Sequence, residues 1–326
     1  MTTTIASLHE QATAQLAEVL QDAAHVDIVD FPDYLNCGDA AIWQGQRTVL
    51  QGLGIGIRSA MSRRSFDPGA LSPDGTVLIQ GGGNFGGLYP THHALRLKLL
   101  ECTRGRPLIQ LPQSIQYPGP EQRDELRRAI AAHGAFVMLV RDHRSFDIAT
   151  ADFDCEVRLV PDAALALGPL VRRAPTVATA VQVRDDREAT DAAAIDGLRF
   201  DWLTAPLTED RRRRLEGHLL LARAARKSGA ATLRRAELAS GNRLAAANVT
   251  RAIRLLSAGR RLVTDRLHGH ILATLLGVEH VVVNDKYGKI QAFWDTWTSG
   301  IPHAHFVDGW ADAPAALTAL QAEEAT

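Results

Sequence analysis

The 326 residues carry 36 lysines and arginines against 37 aspartates and glutamates, a formal net charge of −1. That balance excludes a general nucleic-acid binder, which shows a basic excess, and an acidic disordered tail protein. With 46% apolar and 22% charged residues the composition is that of a globular protein, and at roughly 150 residues per domain the length predicts two domains.

The N-terminal stretch MTTTIASLHEQATAQLAEVL has no basic segment leading into an apolar core. It reads as an amphipathic helix and not as a signal peptide. Short β-rich runs then alternate with longer helical ones. Strands are predicted at 25–31, 76–80, 107–110, 136–140 and 157–160, and helices at 39–53, 91–104, 120–133 and 142–151. Strand, helix, strand at this spacing predicts right-handed βαβ units and parallel sheets. Gly168-Pro169 and Arg172-Arg173-Ala174-Pro175 mark a break. Beyond it, strands are predicted at 176–183, 260–264 and 279–283, and helices at 209–227, 245–256, 269–276 and 314–322. The fold expected is α/β, with two Rossmann-like halves, 1–168 and 169–326, facing a cleft. The last helix is expected to pack back on the N-terminal half.

Cys37, Cys102 and Cys155 form neither a disulfide framework nor a zinc pattern, and free thiols suit a reducing cytosol. No run approaches 18 uncharged apolar residues, so no transmembrane segment is predicted. Peripheral association with the inner face of a membrane stays compatible with this.

Ligands of such sheets bind beyond the carboxyl ends of the strands, so residues just after strands are the candidates for chemistry. Asn36-Cys37-Gly38-Asp39 is the first such segment. Its glycine allows a tight turn, Asp39 can cap the following helix, and Asn36 and Asp39 can bind hydroxyls. A plain strand-to-helix turn would use the same residues. Residues 81–87 hold five glycines, which let backbone amides at Gly82, Gly83 and Asn84 approach a ligand. This is neither a Walker A sequence nor GxGxxG before a ribose-binding acid. Pro112-Gln113-Ser114-Ile115-Gln116 offers amides and a hydroxyl for sugar hydroxyls or phosphate. Arg141 ends a strand and can bind carboxylate or phosphate through two hydrogen bonds, or form a surface pair with Asp142.

Thr264-Asp265-Arg266-Leu267-His268-Gly269-His270 carries the most information. Asp265 reads as a helix N-cap, and a helix N-terminus bearing Arg266 and His268 suits an anion. His268 can also move protons near neutral pH. A metal site on His268 and His270 is not expected, since positions two apart diverge on a helix. Last comes Asn284-Asp285-Lys286-Tyr287-Gly288-Lys289. Only four of the 36 basic residues are lysines, and two of them, Lys286 and Lys289, fall here. Phe293, Trp294 and Trp297 follow at helical spacing and read as core.

In their order and spacing these motifs resemble the polysaccharide pyruvyl transferase family, over roughly 25–300. Pro161-Asp162 and Val183-Arg184 belong to the same resemblance, and the closing segment is most similar to bacterial exopolysaccharide members. The resemblance implies a fold like that of GT-B glycosyltransferases. It implies phosphoenolpyruvate as donor, a free or lipid-linked saccharide as acceptor, and a cyclic pyruvate ketal plus phosphate as products. Neither a metal nor an organic cofactor is implied. The family's Arg-Leu-His signature falls on Arg266, Leu267 and His268, and its Arg-Asp-x-x-Ser signature on Arg141, Asp142 and Ser145. One departure is that Gln116-Tyr117-Pro118 stands where many members carry a glycine.

On this reading Arg141, Arg266 and His268 are the catalytic residues. The same three, with Leu267, Ser145, Lys286 and Lys289, form the donor site. Asn36, Asp39, Gly82, Gly83, Asn84, Gln113 and Ser114 form the acceptor site. Two other readings stay open, a nucleotide-sugar glycosyltransferase on the same architecture and a non-catalytic saccharide-binding protein. A homo-oligomer is compatible with all three.

Overall fold

The computed structural model describes residues 3–185, 192, 194–204, 206 and 208–323. Two parallel sheets with helices between and around them confirm the α/β, two-sheet expectation. The first sheet is built from β1 (His25–Val29), β2 (Gly56–Met61), β3 (Thr76–Ile79), β4 (Gly82–Phe85), β5 (Leu108–Ile115), β6 (Phe136–Val140) and β7 (Glu156–Leu159), in the order β2-β1-β3-β5-β6-β7. Strand β4 extends the line of β3 along the far end of β5. The second sheet holds β8 (Val177–Gln182), β9 (Leu198–Phe200), β10 (Gly259–Thr264), β11 (Glu279–Val283) and β12 (Ala304–Val307), in the order β12-β11-β10-β8-β9. Strand β6 (FVMLV) and the Val281–Val283 end of β11 are buried on both faces, which is why they read as unbroken apolar runs, whereas β1 carries the buried Asp27 in its middle.

Helices α1 (Ile5–Leu20), α2 (Cys37–Gly52), α3 (Pro90–Cys102), α4 (Pro120–His133) and α5 (His143–Asp152) accompany the first sheet. Helices α6 (Glu209–Ser228), α7 (Ala231–Leu256), α8 (Leu267–Leu275), α9 (Lys289–Phe293) and α10 (Ala313–Glu323) follow in the second half. In α1, Leu8, Ala12, Leu16 and Leu20 repeat every fourth residue and bury one face, as the amphipathic reading requires. No helix among the described residues is long and apolar enough to cross a membrane.

One apolar core runs through both halves. It joins Leu16 of α1, Trp43 of α2, Leu165 and Ala252 to Ile271 and Leu272 of α8. Helix α7 reaches across to α2: Trp43 donates from Nε1 to Asn242 at 2.9 Å, and Arg234 donates to the Ser65 carbonyl at 2.9 Å. The closing helix behaves otherwise than expected. Ala313, Leu317 and Leu320 of α10 cover Val181, Val263, Val281 and Val283, so it packs on the second sheet, whose exposed valine face is the nearest apolar surface. Strands β2, β4, β9 and β12 go beyond the predicted set, and α7 begins at Ala231, well before the predicted 245.

Buried under the second sheet is a chain of neutral imidazoles. His280 donates from Nδ1 to the Val278 carbonyl at 2.7 Å, which leaves its Nε2 to accept from His270 Nδ1 at 2.7 Å. His270 Nε2 then accepts from Thr298 at 2.8 Å. Burial pushes His280 down to about 3 and His270 well below the ordinary histidine value. The unfolded chain therefore binds more protons below about pH 6.5, and stability is lost as pH falls from there toward the folded values. Below pH 6.5 the unfolding free energy is expected to fall with a slope that steepens to about 1.4 kcal/mol per pH unit for each such histidine near pH 5. In urea titrations His280→Gln should flatten that slope by one proton; an unchanged slope would contradict the chain.

Candidate functional site

The carboxyl ends of both sheets open on one cleft of about 640 Å³. Its walls include Asn36, Asp39, Gly83, Asn84 and Arg141 from the first half, and Arg266, Leu267, His268 and Lys289 from the second. Residues from five of the predicted motifs therefore meet in one place.

Asp162, just beyond β7, ties the two halves together. It is fully buried, and its Oδ2 accepts from Arg141 Nη1 at 2.6 Å and from His268 Nε2 at 3.3 Å. Its Oδ1 accepts from the Ala164 amide at 2.9 Å. Burial alone would raise this carboxyl, but the charges and hydrogen bonds of His268 and Arg141 outweigh it and hold it well below the usual carboxylate range. Arg141 comes from the end of β6, where its Nε donates to Ser114 at 2.9 Å and its carbonyl accepts from Trp297 at 2.8 Å. A surface pair with Asp142 does not form. Asp142 caps α5 through the Ser145 amide and accepts from the Ser114 hydroxyl. Arg141 Nη2 is directed at Gly83, where an added Cβ would lie 2.9 Å away.

His268, in the first turn of α8, rests on the start of α2. A Cβ on Gly38 would stand 2.6 Å from His268 Nδ1, so only glycine leaves room for the ring. Asp265 is not the cap of α8. Arg266 occupies that position without a side-chain cap, because Asp265 turns back to accept from the Arg184 amide at 2.9 Å. Burial raises Asp265 to about 6 against the opposing pull of Arg184 and Arg266. Arg266 itself is buried and paired. Its Nε donates to Asp201 Oδ1 at 2.8 Å and its Nη2 to Oδ2, a two-point contact beside the Trp202 ring.

On the first wall Asn36, not Asp39, caps α2, accepting from the Gly38 amide at 2.9 Å. Asp39 sits in the first turn, and its Oδ2 accepts from Tyr34 and from Asn36, each at 2.8 Å. The glycine segment is not a free loop: Gly82–Phe85 is strand β4. Gly83 and Asn84 line the cleft, while Gly82 is buried behind them. The Pro112–Ile115 motif is likewise the interior of β5 and is wholly buried. Gln113 accepts from the Asn84 amide and donates to Gln80 and Asn84, and Ser114 bridges Arg141 and Asp142. These two hold other residues in position and do not face the cleft. Ser145 is buried as well, accepting from the Ile115 amide at 2.9 Å.

The two lysines part company. Lys289 opens α9, lines the cleft and lies 3.9 Å from Asp285, whereas Lys286 is exposed and outside the cleft lining. His270 points into the core, away from His268. Tyr34, Arg63, Arg184 and His92 also line the cleft, and with Asp162 and Asp201 they were not among the predicted site residues. Pro161-Asp162 directly after a strand is the signal that could have placed Asp162. Asp201 follows a three-residue strand and offers no comparable signal.

The sequence pattern of the family described as polysaccharide pyruvyl transferase matches residues 36–287. EpsO of Bacillus subtilis, a pyruvyl transferase by name, is 29% identical over 315 residues, covering 91% of this chain and 93% of that protein. Pyruvyl transferase 1 of Schizosaccharomyces pombe is 28% identical over 292 residues, covering 84% of this chain and 70% of that one. The crystal structure of a functionally uncharacterised Klebsiella pneumoniae protein superposes with a TM-score of 0.62 at 18% identity, covering 91% of this chain and 99% of that one, and shows the shared fold.

Removing the charge at Asp162 leaves Arg141 buried without its partner. Asp162→Asn is expected to lower the unfolding free energy at pH 7 by about 3–5 kcal/mol, measured by urea denaturation. A loss below about 1 kcal/mol would show that the carboxylate does not join the halves.

Proposed function

This chain belongs to the polysaccharide pyruvyl transferase family, and on that premise we propose that it moves the pyruvyl group of phosphoenolpyruvate onto two hydroxyls of one sugar residue, forming a cyclic ketal and releasing phosphate. The observation that carries this reading is the convergence of Arg141, His268, Arg266 and Lys289 on one cleft, opposite the polar side chains of Asn36, Asp39 and Asn84. A neutral sugar does not call for so many cations. A small donor with a carboxylate and a phosphate does.

The chemistry follows from charge. As the methylene carbon of the donor takes a proton, positive charge develops at C2, a sugar hydroxyl adds there, and phosphate then departs. The second hydroxyl closes the ring. Arg141, through the Nη2 not used by Asp162 or Ser114, and Lys289 can hold the donor's anionic ends. Arg266 adds positive potential at the start of α8, tempered by Asp201. His268, oriented by Asp162, is the proton donor to the methylene carbon. The hydrogen bond from His268 Nε2 to Asp162 and packing on Gly38 fix the ring, which lowers the cost of ordering it in the transition state. Asn36, Asp39 and Asn84 orient the acceptor, a polysaccharide precursor, free or lipid-linked. Phosphoenolpyruvate is then a co-substrate, and the reaction runs in the cytoplasm, where that donor is made.

The test is phosphate release from phosphoenolpyruvate across galactosides, glucosides and mannosides, with mass spectrometry of the product for the added pyruvyl group. His268→Ala is expected to lower kcat at least ~100-fold while leaving the folded protein intact. Gly38→Ala, whose methyl group displaces the ring, is expected to reproduce most of that loss. Wild-type turnover in both variants would remove His268 from the mechanism.

A further inference from the structure

The proposed reaction takes two hydroxyl protons from the acceptor and returns one to the methyl carbon and one to the phosphate. It needs a base as well as an acid. Two imidazoles line the cleft among the described residues, His268 and His92. His92 lies in the first turn of α3, on the acceptor wall, outside every motif the sequence singled out. Its Nδ1 stands 2.9 Å from both carboxylate oxygens of Asp30. A carboxylate only accepts, so Nδ1 carries the proton and Nε2 keeps a lone pair. The amide of Asn84 flanks the same ring nitrogen, and the edge of Tyr89 packs against the ring.

Asp30 is itself unusual. It is 4% exposed, and at φ +70° it is the one non-glycine residue, among the described residues, in the left-handed backbone region. Such conformations persist where the surroundings enforce them, and they cluster at active sites. Here the turn at the carboxyl end of β1 brings the carboxylate against α3. Arg96, fully buried, stands 3.6 Å from it and donates to Asn84 and Gln110, which fixes the far side of the pair. The cleft thus holds two carboxylate–imidazole pairs, Asp162–His268 and Asp30–His92, in a reaction that needs an acid and a base.

We propose that Asp30–His92 is the base that takes the proton of the sugar hydroxyl attacking C2; this rests on the pyruvyl-transfer reading above. In the first addition the hydroxyl O–H breaks toward His92 Nε2 and its oxygen bonds to C2. The C2–C3 π electrons take a proton from His268. In the second step the C2–O bond to phosphate breaks, the neighbouring hydroxyl bonds to C2, and its proton leaves on hydrogen phosphate. Exchange with water then returns His92 to its neutral form and His268 to its protonated form. Asp30 does not touch the substrate and is a positioning residue. The charged or titratable groups nearby are Arg96 of α3, beside Asp30, and Tyr34, Asp39, Arg63, Arg64 and Tyr89, which line the same cleft.

The test uses the full-length protein and an acceptor identified by phosphate release. His92→Gln is expected to lower kcat at least ~100-fold and to leave phosphoenolpyruvate affinity, measured by calorimetry, within about twofold. The acid limb of the pH–kcat profile should disappear with it. Asp30→Asn keeps the shape and tolerates the left-handed backbone; it should also lower kcat without weakening donor binding, and it carries the test if His92→Gln does not fold. Turnover at the wild-type rate in His92→Gln overturns the assignment. So does a loss of kcat with the acid limb unchanged, which marks a structural role, or a matching loss of donor affinity, which moves His92 to the donor site. Absence of phosphate release by the wild type with every acceptor is a different failure: it removes the pyruvyl-transfer reading, and the base assignment with it.

Discussion

The buried Asp162 carboxylate receives Arg141 from the end of a strand in one sheet and His268 from the start of a helix in the other. The buried Arg141 guanidinium would not be stable where it stands without that partner, since an unpaired charge at such depth is costly. The same oxygen therefore does two jobs. It orders Arg141 and His268 at the cleft, and it ties the two sheets together at that point. A second buried carboxylate, Asp201, does the equivalent for Arg266. Arg141, Arg266 and Lys289 each have an acid beside them, so basic groups gather at the cleft in a chain that is close to neutral overall.

The apolar core supports that arrangement. Interfaces between domains are usually polar and permit relative motion. Here Trp43, Leu165, Ile271 and Leu272 belong to one continuous core, and α7 is hydrogen-bonded to α2 across the junction. The absence of a side chain at Gly38 lets α8 approach α2 closely enough for His268 to reach Asp162. A cleft with such walls is preorganised, so a ligand does not have to supply the energy for assembling its site.

Much of this was legible in the sequence, for physical reasons. Strands buried on both faces are rich in apolar residues, so β6 and the valines of β11 could be read directly, and residues following them fell into one cleft. What could not be read depends on partners far away in the chain. Gln113 and Ser114 looked like loop residues because polar side chains rarely fill a buried strand; they do so here because Gln80, Asn84, Arg141 and Asp142 satisfy them. Asp39 and Asp265 looked like helix caps, but the geometry gives those positions to Asn36 and Arg266 and frees the two acids for other contacts. The scarcity of lysine drew attention to Lys286 and Lys289 equally, and only Lys289, at the start of a helix, is directed into the cleft. The Asp30–His92 pair carries no local signature, since it requires a left-handed residue at one strand end to meet a helix 62 positions later.

The donor site proposed above is formed by Arg141 and His268, joined by Asp162. A crystal structure with phosphoenolpyruvate bound tests it most directly. One anionic end of the donor is expected within hydrogen-bond distance of Arg141 Nη2, with its methylene carbon facing His268. A donor bound elsewhere, with the Asp162 cluster left empty, would contradict it.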